Sequence, residues 1–165
     1  MHFYKKKIKV NNLAALLYII TIDANQPDKI LERISESETL DRSKISRELI
    51  LLRLIIVCYL LCSDKVFKSH RERVTRLHLE YMEHFEADEY KFEGEVAFVD
   101  LLESRMKTYK PLLENDCIRC ALQIAQLFAD NCGIKDPCGF VKTAKLYYLD
   151  SLLSFNKLLH SYKLK

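Results

Sequence analysis

The chain has 165 residues, of which 49% are apolar and 30% charged, with a net charge of +3; this balance argues against disorder and lacks the dense basic face of a nucleic-acid binder. It holds only three glycines and three prolines, too few for the turns of sandwiches and barrels or for phosphate-cradling loops. The length fits one domain, 1–165, with residues 1–10 as an extended or disordered arm.

Within that arm Ile8 and Val10 alternate with lysines, a pattern open to an extended conformation. Asn11 or Asn12 is a cap for a first helix over 13–23, although Ile19-Ile20-Thr21-Ile22 keeps a strand open as the alternative. Lys5, Lys6, Lys7 and Lys9 before the run Leu13–Ile22 match the first two parts of a secretory signal, but Asp23-Ala24-Asn25 is not a small-residue cleavage site. The run spans roughly 15 Å as a helix, half a bilayer core, so it reads as a core segment. Pro27 and Asp28 open a short second helix through Ser35.

Asp41 or Ser43 caps a third helix that reaches Asp64. Leu49, Leu51, Leu52, Leu54, Ile55, Ile56, Val57, Leu60 and Leu61 cover its whole circumference, as expected of the central helix of a bundle. A fourth helix, 66–90, carries Phe67, Val74, Leu77, Tyr81 and Phe85 as one stripe. Its bases Lys65, Lys68, Arg71, Arg73 and Arg76 come first and its acids last, against the helix dipole. The bland account is a solvated face with i, i+4 pairs. A fifth helix bears Phe98, Leu101, Leu102, Met106 and Tyr109 until Pro111 bends or ends it. Asp116 caps a sixth, 117–132, with Arg119, Gln123, Gln126 and Asp130 on its wet side. Gly133–Gly139 is a loop, and a last helix runs to Tyr162. The expected fold is all-α: a single-domain bundle of six to seven helices.

The six cysteines fall as Cys58-x3-Cys62, Cys117-x2-Cys120 and Cys132-x5-Cys138. One zinc cannot collect the last four: a helix over 117–132 separates its ends by roughly 22 Å, while each thiolate must lie about 2.3 Å from the metal. A redox role for Cys117 and Cys120 lacks the βαβ setting such pairs use, and Asp116 opposes thiolate formation. All six are therefore expected to be reduced, mostly buried thiols. His70 and His78 share the inner face of the fourth helix but lie about 12 Å apart, too far to chelate one ion. Glu80 and His84 stand at i, i+4; Tyr81, not a glutamate, lies three residues before His84, and the chain holds no Glu-x-x-His of the kind a di-metal bundle uses. No metal ligand and no cofactor are assigned.

Arg53 lies in the all-apolar helix and Arg105 in an apolar stripe. A guanidinium stays charged when buried, so each is expected to meet a carboxylate, with Asp100 and Asp150 as candidates, or to line a cavity. Arg53, Arg105 and His78 are thus the ligand-pocket candidates. Leu146, Leu149 and Leu153, spaced i, i+3, i+7 opposite the main stripe of the last helix, are the interface candidates. No catalytic motif occurs, neither a nucleophile elbow nor a Walker loop, dinucleotide fingerprint or His-Glu-x-x-His. The expectation is a cytoplasmic, non-enzymatic protein–protein interaction module, a homodimer with no membrane or nucleic-acid role. The alternative is a helical enzyme or ligand sensor with a polar pocket around Arg53, Arg105 and the cysteines.

Overall fold

A computed structural model describes residues 6–22, 41–63, 68–89, 98–115, 118–134 and 137–164. The expected short helix at 27–35 lies outside them, as do Asp116 and Cys117. The described elements run β1 (Lys6–Ile8), α1 (Val10–Thr21), α2 (Arg42–Ser63), α3 (Arg71–Glu89), α4 (Phe98–Glu114), α5 (Ile118–Cys132), α6 (Pro137–His160) and β2 (Tyr162–Leu164). The fold is all-α, with six helices among the described residues and one small sheet. No helix among them is long and apolar enough to cross a membrane.

α2 is the central element and packs against each of the other five helices. Residues 51 to 57 are all buried. One side of the helix sends Leu49, Leu52, Ile55 and Ile56 into the main core, to which every helix contributes; the other side sends Leu51 and Leu54 against Met82 of α3. Apolar residues on every face therefore follow from neighbours on every face, and each fully buried leucine contributes about 1.5–3 kcal/mol. Asp41 starts the helix as expected. Its Oδ1 accepts hydrogen bonds from the Lys44 backbone N–H (3.0 Å) and the Ser43 hydroxyl (2.8 Å), and those bonds hold its carboxyl below the usual carboxylate range. At the other end Arg71 Nη1 donates to the Cys62 carbonyl (3.1 Å), filling an acceptor that the helix leaves open.

Residues 10–21 resolve as helix. Leu13, Ala14, Leu17 and Thr21 are buried at helical spacing. The Thr21 hydroxyl donates to the Leu17 carbonyl (2.8 Å), so a buried β-branched residue is satisfied within the helix. The helix begins at Val10, ahead of Asn11 and Asn12, which do not cap it: the preceding residue, Lys9, is extended and makes no side-chain cap. The chain is fixed there by β1, which pairs in parallel with β2 in the register Lys6↔Tyr162, Lys7↔Lys163 and Ile8↔Leu164. Ile8, Tyr162 and Leu164 pack on the core, closing a clasp between the two ends of the described chain.

Three boundaries differ from expectation. α3 starts at Arg71, after a turn over 68–70, so Lys68 is not on its face. α4 runs through Pro111 to Glu114; the proline lies in the last turn, and Lys107, whose carbonyl loses its helical partner, is exposed. The loop after α5 is short because Pro137 opens α6, its fixed φ suiting the first helical position. α5 closes on Gly133 at φ 74, with Ile134 N–H bonded to Ala129 O (3.1 Å) and Gly133 N–H to Asp130 O (2.9 Å), a Schellman cap. Arg119, Gln123, Gln126 and Asp130 are all exposed on α5.

Candidate functional site

Each of the three pocket candidates has a partner of its own among the described residues. Arg105, on α4, meets a carboxylate, but that of Glu48 on α2 and not Asp100 or Asp150, both of which are exposed. Its Nε donates to Glu48 Oε2 (2.9 Å) and its Nη2 to Oε1 (2.7 Å). This bidentate pair ties α4 to α2 with Glu48 fully enclosed. Around it lie Tyr109, whose hydroxyl accepts from Asn131 Nδ2 (3.0 Å), and Cys132. Burial, then the Glu48 charge, pushes the Cys132 thiol up to about 12, while burial alone dominates the upward shift of Tyr109. These are neutral groups packed around one ion pair, a structural clamp between α2, α4 and α5.

Arg53 is 6% exposed, and its guanidinium lies 5.4 Å from the centre of the Phe155 ring on α6, a cation–π contact in a low-dielectric setting. His78 is fully buried. Its Nε2 lies 3.5 Å from Thr21 Oγ1. Burial lowers its pKa to about 4, with the Ala14 backbone acting in the opposite direction, so the ring is neutral at pH 7. His70 lies apart, half-buried and hydrogen-bonded to Ser69 (2.8 Å). Among the described residues Arg53, Arg105 and His78 thus meet different partners: the Phe155 ring, Glu48 and Thr21.

An open cleft does exist between α2 and α4, with a volume of about 340 Å³, and neither arginine lines it. Ile55, Met106 and Leu113 form its apolar wall, and Cys58 and Cys62 stand along α2. The Lys110–Glu114 pair, at 3.8 Å, lies on its lip. Cys58, Cys62, Cys120 and Cys132 form no disulfide; Cys120 and Cys132 are buried as expected, whereas Cys62 is exposed and Cys58 half-buried, and the side chains of Cys117 and Cys138 lie outside the described residues. The sequence reading missed this cleft because its walls come from elements far apart in the chain. The one signal for it was the i, i+4 cysteine spacing.

The interface candidates lie on α6. Leu146 is 58% and Leu153 66% exposed, whereas Leu149 is half-buried and packs on the core. The opposite face of α6 is occupied by Phe140, Ala144, Tyr148, Phe155 and Leu159 in the core. Ile19 and Leu122 are also exposed, but on α1 and α5. Among the described residues no group of three or more His, Cys, Asp or Glu side chains is placed to hold a metal ion. Comparison with known proteins finds no matching family model, no matching curated protein and no matching solved structure.

Proposed function

We propose that the protein is a non-enzymatic interaction module that pairs with a second copy of itself through the outer face of α6. The observation that carries this reading is the pair Leu146 and Leu153, more than half exposed on a helix whose inner face is already in the core. A helix on the surface of a monomer needs only one apolar face. An antiparallel two-fold pairing centred between Leu149 and Asp150 sets Leu146 of one copy beside Leu153 of the other, and two-fold dimers are the commonest assemblies. Four leucines at about 1.5–3 kcal/mol each give at most roughly 6–12 kcal/mol, against association costs of about 4–15 kcal/mol. The expected dimer is therefore weak, micromolar or looser.

The absence of a disulfide among the four described cysteines supports a reducing, cytoplasmic setting. The enzyme or sensor alternative finds its support in the cysteines: Cys58 and Cys62 line a cleft between α2 and α4. Replacing Leu146 and Leu153 together by glutamate tests the proposal. The double variant should keep its helical circular dichroism and run as a monomer in light scattering; a variant that unfolds, or keeps the parent's mass, contradicts it.

A further inference from the structure

Three sulfur-bearing residues line the cleft between α2 and α4. Cys58 and Cys62 stand one turn apart on α2, and Met106 of α4 lines the same cleft. Side chains at i and i+4 of a helix have Cβ atoms about 5–6 Å apart. Two thiolates sharing one ion at about 2.3 Å each lie no more than roughly 4.6 Å apart, a separation that rotamers on adjacent turns can reach. Hard donors are few in the cleft: Tyr59, Ser63 and Glu114 carry its side-chain oxygens. No histidine lines the cleft, and the carboxylate on its lip, Glu114, is engaged by Lys110. Zinc takes four ligands in structural sites, whereas two thiolates and a thioether form a soft, low-coordinate set that suits monovalent copper.

We propose that Cys58, Cys62 and Met106 form a binding site for a single copper(I) ion. On binding, two S–H bonds break and two Cu–S bonds form. Both protons go to solvent, no electron is transferred, and the thioether adds as a neutral donor. The loaded site carries one net negative charge, and the Lys110 ammonium on the lip is a nearby positive one. Exposed Cys62 provides the entry, since an ion can meet that sulfur from solvent before reaching Cys58.

Anaerobic titration of the full chain with copper(I) against a competing chelator, followed by X-ray absorption of the loaded protein, tests the site. One equivalent should bind with a sulfur-only shell. Because two protons leave, apparent affinity should rise with pH. Cys62→Ser, at an exposed position that keeps the fold, should abolish tight binding; Met106→Leu should weaken it by on the order of tenfold without changing the stoichiometry. Absence of binding overturns the proposal. So does copper retained by Cys62→Ser, or copper lost only when Cys117, Cys120, Cys132 or Cys138 is replaced.

Discussion

The Glu48 side chain has no exposed surface, whereas Arg105 keeps 19% of its own. The two partners are therefore not equivalent. Arg105→Met strands a carboxylate that cannot reach water, at the upper end of the roughly 3–5 kcal/mol typical of a broken buried pair. Glu48→Met leaves a guanidinium that can extend to solvent and should lie at the lower end. The double replacement should recover most of the loss, because an apolar pair of similar volume avoids both desolvation penalties. Urea denaturation of the three variants checks the order, and equal losses for the two single changes would refute the asymmetry. The need for a carboxylate was legible from the charge of Arg105 and its apolar neighbours; its identity was not, since Glu48 lies 57 positions away in a helix read mainly for its leucines.

His78 gives a pH dependence of definite sign. Its folded pKa of about 4 lies below the ordinary imidazole value of 6.5, so the unfolded chain binds the proton more readily. The native state suffers no penalty above pH 6.5 and loses stability as pH falls from 6.5 to 4, by about 3 kcal/mol in total. Denaturation at pH 7 and pH 4 should show that extra loss in the parent and not in His78→Leu. Equal pH slopes would mean that the ring is protonated in the folded protein. Helical spacing placed His78 on an inner face with Val74, but its neighbour Thr21 on α1 was beyond any local pattern.

At the scale of elements, the helices were legible where burial follows a period and least so where the chain breaks one. Pro111 illustrates the difference. As a helix breaker it predicted a bend or an end, yet it costs α4 only one hydrogen bond near a wet terminus. Pro111→Ala should restore that bond and raise stability by about 1–3 kcal/mol, read as a higher midpoint of thermal unfolding; a lower midpoint would show that the proline shapes the last turn of α4. The clasp of β1 and β2 was not legible as a pair, because three-residue strands rich in lysine look like solvated tails. Its register sets Lys7 beside Lys163, and like charges on neighbouring strands repel. Lys163→Glu should stabilise the fold by roughly 0.2–1 kcal/mol at low salt and less at high salt. No salt-dependent gain would mean that the two lysines stand apart.

For the whole molecule, the arrangement around α2 followed from a helix apolar on all sides, because only a central position covers every face. The outer strip of α6 was legible as a second apolar line, but not the fate of each leucine: Leu149 is drawn against the core while Leu146 and Leu153 stay in solvent. That difference depends on how closely α6 lies on its neighbours, which no single-helix pattern encodes. The two exposed leucines are the basis for reading the protein as a self-pairing module. Sedimentation equilibrium of the unmodified chain from low micromolar to several hundred micromolar concentration tests this most directly. Reversible passage from a 19.4 kDa monomer to a species of twice that mass is the predicted result, and a monomer across the whole range would contradict it.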